Sequence, residues 1–233
     1  MTATAATAHA HADADNQKPG GVAALYLVFA LLVAIPYFLV VVDYPSADTA
    51  ADKVDLIVSN YASMYVVYLA TYVFFGLAVG AVSLTLYDRL RIPAPLTARF
   101  VTTIGLTWSV ALVASGLIFT YGMTTIHDLA ATDYGQAVDA WRAIEPVAMA
   151  LGGAGGELLG GLWVLSVGVV SLRSGVLPKG LARLGVVIGF IGLISVVPPL
   201  HGATVAFGLL EIVWLSWLGG VLLSRRSMGW ASA

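Results

Sequence analysis

Six stretches of about 20 apolar residues recur along this 233-residue chain, and they constrain its fold more than any other feature. A helix of that length spans the hydrocarbon core of a bilayer, where only helices and closed barrels satisfy their own backbone hydrogen bonds. Since 59% of the residues are hydrophobic and only 10% are charged, a soluble globular fold is excluded. The sequence predicts an all-α, polytopic integral membrane protein with transmembrane helices at about 22–42, 62–87, 100–120, 146–171, 184–200 and 204–224.

Basic residues are distributed unequally between the two sides of the predicted bundle. All Lys and Arg residues except Lys53 and Arg142 lie before the first span, in the connections after the second and fourth spans, or after the sixth span. Asp and Glu dominate the other connections. Because cytoplasmic connections are enriched in Lys and Arg, both termini are expected in the cytoplasm of a multi-pass protein of the bacterial inner membrane.

The predicted domain boundaries follow from the same pattern. Residues 1–19 are rich in Ala, Thr and His and show no apolar periodicity, so we expect a disordered cytoplasmic tail there. Residues 20–226 form the six-helix transmembrane domain, and residues 227–233 form a second cytoplasmic tail.

The composition excludes several chemistries. The chain has no cysteine and a formal net charge of -2, which excludes disulfides and thiolate metal ligands and gives no reason to expect nucleic acid as a partner. His127 and His201, the histidines outside the N-terminal tail, lie near the outer surface, whereas transmembrane b-haem uses histidines paired inside helices. No metal and no cofactor are therefore predicted.

Two carboxyl groups lie inside the predicted spans. An ionisable side chain in hydrocarbon costs about 3 kcal/mol on insertion scales, so Glu157 and Glu211 are the candidate catalytic acid–base residues. Glu157 lies in a glycine-rich run, with Gly153 one turn before it and Gly161 one turn after it. These glycines are compatible either with close helix packing or with space for a ligand beside the acid.

Four tyrosines recur along one face of the second span, at spacings of four, three and four residues. They are Tyr61, Tyr65, Tyr68 and Tyr72. A buried phenol needs a hydrogen-bond partner, so we expect this face to form one wall of a polar chamber. Two prolines end the fifth span and free backbone carbonyls beside His201. The residues predicted to bind a ligand are Tyr65, Tyr68, Tyr72, Ser195, His201 and Trp214.

The C-terminal part of the chain resembles a known family. The shared features are an RSG-x-LP turn, a glycine-rich helix after it, and a last helix with Glu, an aliphatic–Trp–Leu run and Gly. These positions are Arg173, Ser174, Gly175, Leu177, Pro178, Glu211, Trp214, Leu215 and Gly219. Over residues 160–224 the chain is similar to a family of bacterial six-helix integral membrane proteins whose domain has no assigned function. The resemblance implies the architecture and supplies no catalytic residue.

Three functions fit the predicted chamber, which faces outward between the second, fourth, fifth and sixth spans. The first is binding of a small or lipophilic ligand in an accessory or regulatory role, with membrane lipids and a homo-oligomer or larger membrane complex as expected partners. The second is an intramembrane isomerase or cyclase in which Glu157 performs acid–base chemistry on an isoprenoid or other lipophilic substrate. The third is a proton-coupled transporter. The residues alone leave open whether the protein is an enzyme.

Overall fold

The computed structural model describes residues 2–152 and 157–224, with only the backbone described for residues 2–16. Its helices are α1 (Thr2–Pro36), α2 (Ala50–Tyr68), α3 (Phe75–Leu90), α4 (Pro95–Ala130), α5 (Tyr134–Gly152), α6 (Leu158–Ser174), α7 (Lys179–Ser195) and α8 (Ala203–Leu223). Two π-helical segments, Tyr37–Val41 and Leu69–Phe74, and two 3-10 turns, Tyr44–Ser46 and Pro198–Leu200, complete these ranges. No strand occurs within them, which confirms the predicted all-α class for the described residues.

Four helical segments are long and apolar enough to cross a membrane. They are Gln17–Val41, Ala50–Leu90, Pro95–Ala130 and Ala203–Leu223, and α6 is apolar but shorter. At 1.5 Å per residue, the 41-residue second segment is about 62 Å long and the 36-residue third segment about 54 Å, whereas the hydrocarbon core is about 30 Å thick. The chain is therefore a membrane protein, and two of its helices extend well beyond the hydrocarbon.

Three connections, 42–49, 131–133 and 196–202, lie at one end of the helical bundle. Pro45 and His201, from the first and last of them, line the same cavity. We call this end the acidic end, because its connections carry Asp43, Asp48 and Asp133. The opposite end, with connections 91–94 and 175–178, is the basic end.

The structure interrupts the helix that was expected over residues 146–171. α5 already begins at Tyr134 and ends at Gly152, and α6 begins at Leu158. Glu157 has a non-helical backbone, with φ -87° and ψ 61°. Four of the five residues 152–156 are glycine, and each glycine weakens a helix by about 1 kcal/mol relative to alanine. Gly153, expected one turn before Glu157, lies outside the described residues.

The first helix also starts earlier than the apolar pattern suggested. α1 begins at Thr2, so its backbone is helical through most of the segment that was expected to be a disordered tail. Six of residues 2–12 are alanine, the residue with the highest helix propensity. At the other boundary, α7 ends at Ser195, and a 3-10 turn over Pro198–Leu200 replaces the end of the predicted fifth span.

Buried side chains form two clusters stacked along the bundle. The cluster toward the basic end is built around Trp163 and Trp214. The cluster toward the acidic end is built around Phe119 and Trp141. Tyr72 packs against both clusters, and it marks the level at which they meet.

α6 and α7 pack backbone against backbone. A Cβ atom added to Gly189 would lie 2.6 Å from the carbonyl oxygen of Gly161, and one added to Gly161 would lie 2.8 Å from the backbone nitrogen of Leu193. Such contacts leave room for hydrogen atoms only, as in the small-residue interfaces of other membrane helices. The α6–α7 pair is therefore a rigid unit, and it holds the start of α6 against the end of α7.

Candidate functional site

A cavity of about 510 Å³ lies near the acidic end of the bundle, where the two buried clusters meet. Its wall comes from α1, α3, α4 and α8, from both π-helical segments and from the ends of the α5–α6 interruption. The lining residues are Leu31, Ala34, Ile35, Phe38, Leu39, Pro45, Thr71, Tyr72, Phe75, Trp108, Leu112, Gly152, Glu157, His201, Thr204, Val205, Phe207, Gly208 and Glu211. Most of this wall is apolar, so its few polar groups define what it can recognise.

Irregular helix geometry is concentrated around this cavity. The π-helical segment Tyr37–Val41 contributes Phe38 to the wall, and the segment Leu69–Phe74 contributes Tyr72. A π-helical turn interrupts the regular hydrogen-bond ladder, and such turns are frequent at functional sites. Two of them at one cavity therefore favour a functional role for this part of the bundle.

Tyr26 shows how one irregular segment is held in place. Its hydroxyl group donates a 2.7 Å hydrogen bond to the carbonyl oxygen of Ala70, inside the π-helical segment Leu69–Phe74. Because this bond joins α1 to the segment between α2 and α3, it fixes two of the walls of the cavity relative to each other. A carbonyl group without a hydrogen-bond partner is costly in free energy inside a membrane protein, so the bond between Tyr26 and Ala70 is expected to persist.

Glu157 lies at the interrupted helix, immediately before α6. Its backbone N–H donates a 3.0 Å hydrogen bond to the hydroxyl oxygen of Ser195 at the end of α7, and Ser195 donates in turn to the carbonyl oxygen of Gly192, at 2.7 Å. Ser195 is fully buried and touches the backbone of Glu157, not the cavity. Its role is thus to hold Glu157 in the position from which the carboxyl group reaches the cavity.

Glu211 of α8 lines the same cavity as Glu157. Glu211 is only 3% exposed. Among the described residues, neither carboxyl group has a hydrogen-bond or ion-pair partner. The buried hydroxyl oxygen of Thr204, about two helical turns from Glu211, also has no partner among the described residues. Within residues 17–152 and 157–224, three polar groups that line the cavity therefore have no partner, which is rare in protein interiors.

A second cavity of about 120 Å³ adjoins the first toward the acidic end. It is lined by Phe38, Tyr44, Tyr68, Tyr72, Phe119, Glu145 and Met149. Phe38 and Tyr72 line both cavities, which therefore adjoin at these two side chains. We call the first the large cavity and the second the aromatic cavity.

Glu145 anchors the polar side of the aromatic cavity. One of its carboxylate oxygens, Oε1, accepts a 2.7 Å hydrogen bond from the Tyr44 hydroxyl and a 2.6 Å charged hydrogen bond from Lys53. The Lys53 ammonium also lies 5.4 Å from the centre of the Tyr44 ring. Burial of the Tyr44 phenol and its hydrogen bond to Glu145 raise the pKa of Tyr44 above its usual range, so this hydroxyl stays a donor.

The cavities bring together five of the eight residues proposed from the sequence. Glu157, Glu211, Tyr72 and His201 line the large cavity, and Tyr68 and Tyr72 line the aromatic cavity. The other three, Tyr65, Ser195 and Trp214, line neither. The large cavity is also lined by residues of the first and third predicted spans, which had not been expected to contribute. No residue of α7, in the predicted fifth span, lines it, although that span had been expected to form a wall.

Contacts between helices account for two of these differences, at Trp214 and at Tyr65. Trp214 is fully buried, and its indole N–H donates a 3.1 Å hydrogen bond to the carbonyl oxygen of Leu181, so it ties α8 to α7. Tyr65 packs against Tyr61, whose hydroxyl shares a 2.9 Å hydrogen bond with Thr124. The tyrosine face therefore divides between helix packing toward the acidic end and cavity wall deeper in the bundle.

Sequence reasoning missed several residues of the site. Trp108 was not proposed as a site residue, and Glu145, Lys53 and Tyr44 were not proposed as a cluster. One signal for the cluster was present: Lys53 is one of only two basic residues in the acidic connections and adjoining helices. A lone cation among carboxylates tends to be paired, but its partner is 92 residues away and could not be chosen from the sequence.

The motif that carries the family resemblance is mostly structural. Gly175 ends α6 with a φ of 71°, in the left-handed region that glycine adopts without strain, and Pro178 begins α7. Gly219 lets α8 approach Leu25 of α1. Of the motif residues, Glu211 is the one that lines a cavity.

Comparison with known proteins shows the family and nothing about chemistry. No curated protein and no solved structure matches the chain. A family described as "Domain of unknown function (DUF4386)" matches residues 22–220, which is wider than the C-terminal resemblance seen in the sequence. Since the match covers most of the 233 residues, the chain belongs to the DUF4386 family.

Proposed function

We propose that this protein binds a lipophilic ligand in the large cavity, in an accessory or regulatory role. The observation that carries the proposal is a mostly apolar cavity lined by two carboxyl groups, the buried Glu211 and the partly buried Glu157, for which the described residues offer no hydrogen-bond or ion-pair partner. In this proposal the chain crosses the bacterial inner membrane six times, with both termini in the cytoplasm and the acidic end outside, so the cavity faces outward. Membrane lipids surround the bundle.

The free energy of burying these carboxyl groups argues for a ligand. A carboxyl group inside a membrane helix costs about 3 kcal/mol, and a structural role would return part of that cost through hydrogen bonds. Glu211 makes no such bond within the described residues. A polar group on a bound molecule would supply the missing partner for it and for Thr204.

The size and position of the large cavity indicate a ligand from the bilayer. Its volume of about 510 Å³ is within the range of small-molecule sites, about 300–1,000 Å³. Its rim between α1 and α8 includes Leu39, which is 46% exposed, and Val205, which is 56% exposed. These apolar side chains face lipid, so a lipophilic molecule can reach the cavity between the two helices without crossing water.

A second candidate is acid–base catalysis in the same cavity. Two carboxyl groups that share one enclosed space favour it, because one can hold a proton while the other accepts one. Chemical conversion of the bound molecule, followed by mass spectrometry, distinguishes catalysis from binding.

The topology is tested with reporters inserted into the connections. Insertions after Arg91 and after Gly175 should report cytoplasm, and insertions after Asp48 and after Asp133 should report the outside, because basic connections are retained in the cytoplasm. Paired reporters that are active on opposite sides of the membrane provide the measurement. Two reversed positions would overturn the proposed orientation.

Ligand binding is tested by filling the large cavity. Gly208 lines it, and a Cβ added there meets no atom within 4 Å, so Gly208→Phe places a ring in open space. We expect this substitution to weaken binding of the neutral fluorescent lipophile N-phenyl-1-naphthylamine by about tenfold or more, measured on the full chain in lipid nanodiscs.

Gly220 provides the matched control on the same helix. A Cβ added to Gly220 also meets nothing within 4 Å, but Gly220 lies away from both cavities. Gly220→Phe should therefore leave binding of the lipophile unchanged while adding the same ring to α8. Equal binding by the Gly208→Phe and Gly220→Phe proteins would show that the large cavity is not the binding site.

A further inference from the structure

The wall of the aromatic cavity has the composition of a site for an organic cation. Five of its seven lining residues are Phe or Tyr, and a sixth is Glu145. The faces of aromatic rings carry negative electrostatic potential, and cages of such rings are a common means of binding ammonium groups. A carboxylate on the same wall adds a full negative charge, so an anion is disfavoured there.

The ammonium group of Lys53 already binds to a carboxylate and an aromatic ring of this wall. Its ammonium group lies 2.6 Å from Oε1 of Glu145 and 5.4 Å from the centre of the Tyr44 ring. Both partners line the aromatic cavity, whereas Lys53 approaches from outside it. The second carboxylate oxygen, Oε2, has no hydrogen bond to any described residue and remains free for a second cation.

Unsatisfied hydroxyl groups point to an occupant of the aromatic cavity. Tyr68 is 4% exposed and lines the cavity, yet its hydroxyl group has no hydrogen-bond partner among residues 17–152 and 157–224. Tyr72 lies at the boundary with the large cavity, and its hydroxyl group also has no hydrogen-bond partner among the described residues. Buried phenols usually have a partner, and a phenol oxygen accepts readily from an ammonium N–H.

The two cavities together suit one elongated molecule. The aromatic cavity, at about 120 Å³, has the volume of about four water molecules and so admits a small head group, and the large cavity admits an apolar tail. Across both walls the titratable acids are Glu145, Glu157 and Glu211, and the single basic side chain that lines either cavity in the described chain is His201, at the exposed rim. The two cavity walls therefore present carboxyl groups to a bound molecule and, among the described residues, no Lys or Arg side chain.

We propose that the ligand is a lipophilic organic ammonium ion whose head occupies the aromatic cavity beside Glu145 and whose apolar tail occupies the large cavity. This inference rests on the proposed ligand-binding function and adds the charge and orientation of the ligand. Lys53 competes with the ligand for Glu145. A polar substituent on the tail would partner the carboxyl groups of Glu157 and Glu211, which line the large cavity.

Three probes with the same ten-carbon tail test the charge. Decylammonium, decanol and decyl sulfate differ in the head group alone, and each is titrated against N-phenyl-1-naphthylamine bound to the full chain in nanodiscs. The same titration of the Gly208→Phe protein is subtracted, which removes partitioning into lipid. We expect decylammonium to bind about tenfold more tightly than decanol and decyl sulfate to bind more weakly than either.

Substitutions on the two sides of the ion pair test the position of the head. Lys53→Gln removes the competing cation and should strengthen decylammonium binding by about tenfold, whereas Glu145→Gln should weaken it by a similar factor. Decanol binding should change in neither variant. A purely structural ion pair predicts instead that both substitutions weaken both probes, because the same contact is broken in each.

The outcomes separate this inference from the proposed function. Equal binding of decylammonium and decanol, or a Lys53→Gln protein with weaker decylammonium binding, would overturn the cationic ligand while leaving a lipophile site in place. Unchanged probe binding in the Gly208→Phe protein would overturn the proposed function itself. If Glu145→Gln does not fold, the head-group comparison on the parent protein and the Lys53→Gln result still decide the question.

Discussion

Replacing Gly189 by alanine should destabilise the protein by about 3 kcal/mol, near the upper end of the range for overpacked sites. The added Cβ would lie 2.6 Å from the Gly161 carbonyl oxygen and 2.6 Å from the Cα atom of Leu165. Both atoms belong to the backbone of α6, so no side-chain rotation can relieve the contact, and the two helices must separate. The apparent melting temperature in detergent and the yield of monodisperse protein measure the effect.

Gly220→Ala is the matched control for this substitution. Gly220 is helical, lies in α8 and has open space where the Cβ atom would be placed. Its replacement should leave stability unchanged or raise it by up to about 1 kcal/mol, because alanine is the better helix former. Similar melting temperatures for the Gly189→Ala and Gly220→Ala proteins would contradict the backbone contact between α6 and α7.

Separation of α6 from α7 would also disturb the large cavity. The hydrogen bond from the Glu157 backbone to Ser195 crosses this interface and positions the carboxyl group. A Gly189→Ala protein that still folds should therefore bind a lipophilic probe more weakly, although Gly189 lines neither cavity. Ser195 thus links the packing of α6 on α7 to the position of Glu157 at the large cavity.

The membrane architecture follows from sequence because its cause is local. Apolar runs of about 20 residues must be helical in hydrocarbon, and a carboxyl group within such a run stands out by its free-energy cost alone. For that reason Glu157 and Glu211 could be selected before the structure was known, and both line the large cavity.

The parts that escaped prediction depend on contacts between distant segments. Apolar periodicity carries no sign of a π-helical turn, so the segment Leu69–Phe74 was expected to be regular helix. Ser195 has the polarity of a ligand-binding residue, but the backbone of Glu157, 38 residues away in the chain, takes its hydroxyl group. Glu145 was not proposed as a site residue, and only the folded chain brings Lys53 and Tyr44 to it.

Glu211→Leu should raise the free energy of unfolding by about 2 kcal/mol, the reverse of the usual effect of a substitution at a buried position. Glu211 is buried and has no partner among the described residues, so an apolar side chain of similar volume removes a cost and breaks no bond. A gain in stability from this apolar substitution would mark Glu211 as a residue kept for function and not for folding.

The same change at Glu145 should have the opposite sign. Glu145 is buried too, but Glu145→Leu would leave the Lys53 ammonium and the Tyr44 hydroxyl without their shared acceptor, at a cost of about 2 kcal/mol. Burial, residue type and substitution are alike at the two sites, so hydrogen bonding is what separates them. Denaturation of the two variants in the same detergent measures the difference, and a loss of stability in Glu211→Leu as large as in Glu145→Leu would mean that Glu211 has a structural partner.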